Sequence, residues 1–378
     1  MNTPVYLDYN ATAPIRPEAA EAVARALAIG GNPSSVHAAG RAARAAVEDA
    51  RARVAALVAG DPANLVFLSG GTEANALAID SAAQLADVSS LIVGATEHDA
   101  VIESARAAGK PVEVLPVDTD GVADLDRLEA LLKVATGRPF VALMLANNET
   151  GVIQPVAEAA RLVREAGGWL HVDAVQAAGK IEVDFEALGA DTLALSAHKL
   201  GGPHGVGALL YGERAVLSRR LHGGGQERGR RAGTENVAGI VGFGAAADAA
   251  VRDLPTVGAQ AAWRDAVAAR LKAAGAVVAG GGASRVAGTL CVAVPDWTSE
   301  LQVIALDLAG VMVSAGAACS SGKVKPSRVL NAMGLEALAA GGLRASGGWA
   351  STEADWNAFA DAWLAARERQ VARKRSAA

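Results

Sequence analysis

The chain has 378 residues, 51% of them hydrophobic and 20% charged, with a formal net charge of −5. That length and composition predict a globular protein of about two domains and exclude a largely disordered one. The acidic balance argues against nucleic acid as a partner, and no uncharged apolar stretch approaches the roughly 18 residues of a membrane span. The first residues lack the features of a signal peptide, so we expect a cytoplasmic protein that contacts neither nucleic acid nor membrane.

The first half of the chain alternates between helical and strand-like patterns. A helix is expected after Pro17, and a long helix rich in Ala and Arg follows over about 36–59. Short, nearly continuous apolar runs separated by helical segments then indicate a mostly parallel sheet with helices on both faces. The seven predicted strands are 65–68, 91–94, 112–117, 140–145, 169–172, 192–195 and 206–210.

The pattern changes near Pro255, beyond a Gly- and Arg-rich segment at 222–236 and the start of another long helix. A helix, a strand at 288–295, a helix at 299–308, a strand at 311–314 and a final helix at 352–373 predict a smaller α+β domain. We therefore expect a large α/β domain over residues 15–253 and a small domain over 254–378 that includes the N-terminal residues 1–14.

Polar residues directly follow five of the predicted strands. Because ligands bind at the carboxyl ends of strands in an open α/β sheet, these residues predict one site. The five groups are Ser69–Glu73, Thr96–His98, Asn147–Glu149, Asp173–Gln176 and Ser196–Lys199.

Three of these groups suggest a specific cofactor, although each has an alternative interpretation. The Ser-Gly-Gly-Thr turn before a helix favours a phosphate site, while Thr72 could equally be an ordinary N-cap. Asp173 is either an N-cap or the carboxylate that keeps a pyridinium nitrogen protonated. Lys199 is either a solvated surface lysine or a desolvated amine able to form a Schiff base. Together, in this chain order, they describe a site for pyridoxal 5′-phosphate.

The motifs resemble those of cysteine desulfurases, in the class-V aminotransferase branch of the fold-type I pyridoxal-phosphate enzymes. The resemblance runs from Leu7-Asp-Tyr-Asn-Ala-Thr12 to Arg344 and includes Thr-Glu-His-Asp, Asn-Asn-Glu-Thr-Gly, His-Val-Asp-Ala-Val-Gln and Ser-Ala-His-Lys. It implies that the seven-stranded domain binds the cofactor and that the protein is a homodimer. It implies that Lys199 binds the aldehyde of the cofactor, that Asp173 pairs with the pyridine nitrogen and that Gln176 reaches the phenolic oxygen. It assigns ring stacking and proton transfer to His98. The phosphate is assigned to a larger set of residues: Gly71, Thr72, Ser196, His198 and the partner subunit's Thr234. Asn148, beside the cofactor, and Arg344 are assigned to the substrate carboxylate.

The two cysteines differ in their surroundings, and they form neither a disulfide framework nor a metal-ligand spacing, so no metal is expected. Cys291 lies in an apolar strand pattern and is expected in the core, whereas Cys319 lies among Ala, Ser and Gly. The resemblance makes Cys319 the catalytic residue that takes sulfur from L-cysteine as a persulfide, leaving L-alanine, and passes it to an acceptor such as an iron–sulfur scaffold protein. A selenocysteine lyase, or a non-catalytic sulfur-relay or scaffold protein with the same fold, are the alternatives.

Overall fold

A computed structural model describes residues 4–316 and 326–377 of the chain. The helices within these residues are α1 (Pro17–Leu27), α2 (Ala38–Ala56), α3 (Gly71–Ala83), α4 (Asp99–Ala107), α5 (Leu125–Val134), α6 (Val156–Glu165), α7 (Phe185–Leu188), α8 (Val237–Ala273), α9 (Ser299–Asp307), α10 (Arg328–Ala332) and α11 (Glu353–Ala377). The strands are β1 (Val5–Tyr6), β2 (Leu65–Leu68), β3 (Val88–Gly94), β4 (Val112–Leu115), β5 (Arg138–Ala142), β6 (Trp169–Asp173), β7 (Thr192–Ser196), β8 (Gly207–Tyr211), β9 (Val277–Val278), β10 (Thr289–Ala293), β11 (Val311–Met312), β12 (Ser314–Ala315) and β13 (Leu343–Ser346).

The seven predicted strands form one sheet in the order β2-β8-β7-β6-β5-β3-β4. Every neighbouring pair is parallel except the two pairs made by β8, which runs antiparallel to both β2 and β7. The strand bounds lie within three residues of the predicted ones. The prediction of a mostly parallel seven-stranded sheet is confirmed.

Both faces of this sheet are covered by helices. In β3, Leu91 and Val93 belong to a core with residues of α3 and α4 on one face, whereas Ile92 belongs to the larger core on the other face, to which α2, α5, α6 and α8 contribute. Since successive side chains of a strand point to opposite faces, a strand covered on both sides must be apolar at every position. This burial explains the uninterrupted apolar runs in the sequence.

A second core forms around a four-stranded sheet of order β12-β13-β10-β9, in which all neighbours are antiparallel. Trp297, Trp356 and Trp363 pack in this core, and Leu7 from the N-terminal segment joins them. The predicted single strand 311–314 is wrong, because two separate strands occupy this region. The first, β11, pairs with β1 in a two-stranded parallel sheet, and the second, β12, pairs with β13.

Helix α8 runs continuously through Pro255, where the sequence suggested a boundary. A proline inside a helix removes one hydrogen bond and costs about 3 kcal/mol. Helix α8 packs against α1, α2 and α11, and the free energy gained from this packing offsets the cost of the proline. The predicted domain boundary between residues 253 and 254 falls within α8, which links the two cores. The division into two domains stays a prediction. In the described part of the chain, no helix is both long and apolar enough to cross a membrane.

The Gly- and Arg-rich segment 222–236 is attached to the large sheet by a buried ion pair. Both carboxylate oxygens of Glu227 accept hydrogen bonds from Arg51 at 2.8 Å, and one of them also accepts from the backbone N–H of Phe67 at 2.8 Å. Glu227 and Arg228 have φ of +47° and +55°, in the left-handed region that non-glycine residues rarely adopt. This network therefore holds a strained turn in place, a few residues before Thr234.

Candidate active site

The carboxyl ends of the parallel strands open into a cavity of about 770 Å³. All five predicted groups at the strand ends contribute to its wall, because parallel strands present their carboxyl ends at the same edge. Ten of the predicted site residues line the cavity: Gly71, Thr72, His98, Asn148, Asp173, Gln176, Ser196, His198, Lys199 and Arg344. Thr234 is exposed and does not line it, and Cys319 lies outside the described residues.

Lys199 lies just after β7, in a short 3-10 turn over Ala197–Lys199. Its Nζ donates hydrogen bonds to the backbone oxygens of Asn10 at 2.7 Å and Ala11 at 2.8 Å. Burial, together with the nearby Arg344 guanidinium, lowers the pKa of Lys199 from 10.5 to about 8. A substantial fraction of this amine is therefore neutral near pH 8, as a nucleophilic lysine requires.

Asp173 is the last residue of β6, and its carboxylate is 7% exposed. One oxygen accepts a hydrogen bond from the side-chain amide of Asn75 at 2.7 Å, and the other accepts from the backbone N–H of Val175 at 2.9 Å. The hydrogen bond from Val175 is local to the turn, as in an N-cap, but the carboxylate also faces the cavity. Asp173 is therefore in place to accept a hydrogen bond from a protonated ring nitrogen.

Helix α3 begins at the cavity with Gly71 and Thr72, and its N-cap residue, Gly70, has no side chain to bond the first amides. The first N–H groups of a helix carry partial positive charge and bind phosphate. A Cβ at Gly71 would approach the Val175 side chain to 2.8 Å, so glycine keeps the backbone accessible at this point. With the Lys199 amine and the Asp173 carboxylate in the same wall, the residues present fit pyridoxal phosphate.

The two predicted histidines have different environments. His98 is exposed and is the N-cap of α4, where its Nδ1 accepts a hydrogen bond from the Ala100 N–H at 3.0 Å. Because Nδ1 accepts this bond, Nε2 is the ring nitrogen left to face other groups. Burial and the nearby Lys199 lower the pKa of His198 to about 4, so that this ring is neutral at physiological pH. His198 therefore contributes hydrogen bonding and shape to the site without a positive charge.

Arg344 lies in the cavity wall and is 3% exposed. Its Nη2 donates to Asp8 at 2.8 Å and its Nη1 donates to the Asn148 carbonyl at 3.1 Å. Its Nε is buried and has no hydrogen-bond partner among the described residues. Because a guanidinium pairs readily with a carboxylate, Arg344 gives this part of the cavity wall a group suited to an anionic ligand.

Asn10 and Lys180 were not predicted. Asn10 lines the cavity, and Lys180 lies behind it in contact with two residues that do. The Asn10 carbonyl accepts from Lys199 and from the Gln176 side chain, and the Asn10 amide oxygen accepts from Lys180 Nζ at 2.6 Å. Lys180 also donates to Gln176 at 2.5 Å, and burial lowers the pKa of Lys180 well below its usual value. Asn10 lies within the motif Leu7-Asp-Tyr-Asn-Ala-Thr12, so the resemblance could have indicated this residue. Nothing in the sequence around Lys180 marks that residue.

Two buried carboxyl groups also line the cavity without having been predicted. Glu97 accepts from the Met144 N–H, and burial together with the Asp173 charge raises its pKa to about 8. Glu149 accepts from the Ser327 hydroxyl at 2.6 Å, and burial raises its pKa as well. Both residues belong to strand-end groups that the sequence identified as a whole, so their location was foreseeable and the rise in their pKa was not.

Cys291 is fully buried in β10, as predicted, and burial raises its pKa to about 12. A thiol with this pKa is almost entirely protonated at neutral pH, and the thiolate is the nucleophilic form. Cys291 is therefore a core residue and is unsuited to nucleophilic chemistry.

Known proteins resemble this chain over almost its whole length. The model of the family described as aminotransferase class-V matches residues 5–359. A curated cysteine desulfurase IscS from Dictyoglomus turgidum is 37% identical, over 94% of this chain and 93% of its own. A cysteine desulfurase from Cereibacter sphaeroides is 42% identical, over 89% of each chain. Among solved structures, a NifS-like protein from Rickettsia africae has a TM-score of 0.89 and 30% identity, with coverage of 97% of this chain and 99% of its own.

Proposed function

The chain belongs to the class-V aminotransferase family, and we propose that it is a pyridoxal-phosphate-dependent cysteine desulfurase that supplies sulfur for iron–sulfur cluster assembly. The family match, the named relatives and the NifS-like fold confirm the resemblance predicted from the motifs, and with it the enzyme class and the cofactor. The residue roles that follow are part of the proposal.

The main support for the proposal is that three groups line one cavity: the Lys199 amine with its lowered pKa, the buried Asp173 carboxylate and the buried Arg344 guanidinium. Lys199 would hold the cofactor aldehyde, Asp173 its ring nitrogen, and the start of α3 its phosphate. When bound, the cofactor withdraws electrons from the α-carbon of an amino acid attached to it. A chain without the amine could not hold the aldehyde, and one without the carboxylate would use this chemistry much more slowly.

Arg344 determines how an amino acid substrate is oriented. Its guanidinium lies in the cavity wall and carries a planar set of donors that matches an α-carboxylate. Asn148 also lines the cavity, and its backbone oxygen contacts this arginine. With the carboxylate bound there, Lys199 Nζ takes the proton from the α-carbon, and its pKa of about 8 suits a base that works near neutral pH.

Cys319 is the proposed sulfur acceptor. Its sulfur bonds to the sulfur of L-cysteine while the carbon–sulfur bond of the substrate breaks, and the carbon keeps the electron pair and gains a proton. One thiol and L-cysteine thus become one persulfide and L-alanine, with no external oxidant or reductant. The high pKa and full burial of Cys291 support this choice, since the chain has no third cysteine.

A homodimer completes the proposed site. Thr234 is exposed on its own subunit and lies outside that subunit's cavity, so it is available to a neighbouring one. The partner's Thr234 would add a hydroxyl donor to the phosphate at the start of α3. An acceptor protein of the iron–sulfur scaffold type then receives the persulfide sulfur.

The proposal is tested by mapping two covalent products on the holoenzyme. Borohydride reduction followed by peptide mass spectrometry is expected to place the cofactor on Lys199, and a label on Lys180 would refute that assignment. One turnover of L-cysteine without reductant is expected to leave sulfur on Cys319 and to form alanine.

The cysteine variants provide the matched comparison. Cys319→Ser is expected to bind cofactor and substrate but to release neither alanine nor sulfide, whereas Cys291→Ser keeps turnover. Sulfur found on Cys291 would refute the proposed acceptor. Faster turnover of selenocysteine would favour the lyase, and the absence of a visible cofactor band would favour the non-catalytic alternative.

A further inference from the structure

A continuous series of hydrogen bonds connects the interior of the large domain to Asp173. Trp169 Nε1 donates to Thr192 Oγ1 at 3.2 Å, and Thr192 Oγ1 lies 2.9 Å from His171 Nδ1. His171 Nε2 lies 2.9 Å from Asn75 Oδ1, and Asn75 Nδ2 donates to Asp173 at 2.7 Å. Apart from Asp173 at 7%, each of these side chains is at most 1% exposed. The series is therefore isolated from solvent except where it reaches the cavity.

The geometry of the sheet brings these residues together. Trp169, His171 and Asp173 are alternate residues of β6, so their side chains share the face of the sheet that α3 covers. Thr192 is the register partner of His171 on β7, and Asn75 belongs to α3. The ring of Phe140 lies on the same face and is stacked on the ring of His171, with 6.4 Å between the ring centroids.

The direction of every bond in the series follows from its two ends. A carboxylate only accepts, so the Asn75 amide donates to Asp173 and turns its oxygen toward His171 Nε2, which must carry a proton. Burial lowers the pKa of His171 to about 3, so the ring is neutral and its Nδ1 accepts from the Thr192 hydroxyl. The indole of Trp169 only donates, and it completes the series at the Thr192 oxygen.

We infer that Asn75, His171 and Thr192 are positioning residues that hold the Asp173 carboxylate in one orientation toward the ring nitrogen of the bound cofactor. Each donor in the series is polarised by the acceptor beyond it, and hydrogen bonds in a low-dielectric interior strengthen one another. The amide of Asn75 therefore stabilises the negative charge of Asp173 while fixing one of its oxygens. The other oxygen is held by the Val175 N–H, which leaves the carboxylate little freedom to rotate.

The inference rests on the proposed function, since it concerns how the cofactor ring is held. It predicts that breaking the series changes the electronic state of the cofactor without affecting recognition of the substrate carboxylate, which belongs to Arg344. Loss of a supporting hydrogen bond at a reacting group is expected to lower kcat by about tenfold to a hundredfold. The KM for L-cysteine should stay within about twofold of the wild-type value.

The experiment compares three variants as holoenzymes. Asn75→Leu removes the bond to Asp173, and Thr192→Val removes the far end of the series at almost constant volume. Ser81→Ala is the matched control, because Ser81 is a fully buried polar residue of α3 whose two hydrogen bonds, to Leu77 and from Ser218, are separate from the series. The measurements are the visible absorption spectrum of the bound cofactor, its rate of loss on dialysis, kcat and KM.

Asn75→Leu is expected to alter the absorption spectrum and to release the cofactor faster, Thr192→Val to do so less strongly, and Ser81→Ala to leave both unchanged. Wild-type spectra in both Asn75→Leu and Thr192→Val would overturn the inference. Effects of equal size in Ser81→Ala would overturn it too, because the loss of any buried polar group would then be enough to change the spectrum and release the cofactor. If Asn75→Leu does not fold, Thr192→Val decides alone. A wild-type protein that binds no cofactor would instead refute the proposed function.

Discussion

Replacement of Lys199 by methionine should change how the stability of the cofactor-free protein depends on pH. The pKa of Lys199 is about 8 in the folded protein and returns to 10.5 on unfolding. At about 1.36 kcal/mol per pKa unit, this difference corresponds to roughly 3 kcal/mol. Folding therefore carries the cost of partly desolvating a charged amine at neutral pH.

The sign of the effect follows from the number of protons bound. Between pH 8 and pH 10.5 the unfolded chain binds more protons at Lys199 than the folded chain does, so the wild-type free energy of unfolding rises with pH. Below pH 8 the whole penalty is present, and above pH 10.5 it disappears. The stability of Lys199→Met relative to wild type should therefore be greatest near pH 7 and fall by roughly 3 kcal/mol toward pH 10.5. The hydrogen bonds to Asn10 and Ala11 that methionine loses shift this difference by a similar amount at each pH.

The assay is urea unfolding followed by tryptophan fluorescence, at half-unit steps from pH 7 to about pH 10, with cofactor removed from both proteins. Comparing the variant with wild type cancels the titration of groups that do not interact with Lys199. Lys272→Met, which removes an exposed lysine from the end of α8, is the control and should not reproduce the change expected for Lys199→Met. Parallel stability curves for wild type and Lys199→Met would refute the reasoning.

Four further substitutions test other parts of the structure. Asp173→Asn should bind cofactor but lower kcat by roughly a hundredfold, the size of one lost electrostatic contact to the reacting group, measured as alanine formation. Arg344→Lys should raise the KM for L-cysteine by about tenfold, because one ammonium cannot replace a bidentate guanidinium, and an unchanged KM would contradict its role. Cys291→Ser should retain turnover but lower the free energy of unfolding by about 1–3 kcal/mol, since it places a hydroxyl in an apolar layer. Glu227→Gln should lower that free energy by about 3 kcal/mol, because it removes the buried carboxylate of the Arg51 ion pair and leaves Arg51 only the more exposed Glu48 as an ionic partner. The exposed control Glu165→Gln should change it by less than about 0.5 kcal/mol. Equal urea midpoints for these last two variants would contradict the importance of burial.

The sequence alone determined the strands of the large sheet and the edge at which the site lies. Parallel strands covered on both faces must be apolar throughout, so their positions are visible as continuous runs. Asp173 and Lys199 could be found because a polar residue directly after such a run stands out. The same local signal failed at 311–314, where two short strands pair with partners distant in sequence.

Only the tertiary structure decided which residues support those at the strand ends. Asn10 meets Lys199, and Asn75 meets Asp173 and His171, across contacts separated by about a hundred residues or more. No local pattern records such a contact, because hydrophobic periodicity reports which face of an element is buried but not which element covers it. The low pKa of Lys199 and the high pKa of Glu97 likewise arise from burial and neighbouring charges that packing assembles. The continuity of α8 through Pro255 has the same origin, since local preference opposes a proline within a helix and only the packing of α1, α2 and α11 against it offsets that cost.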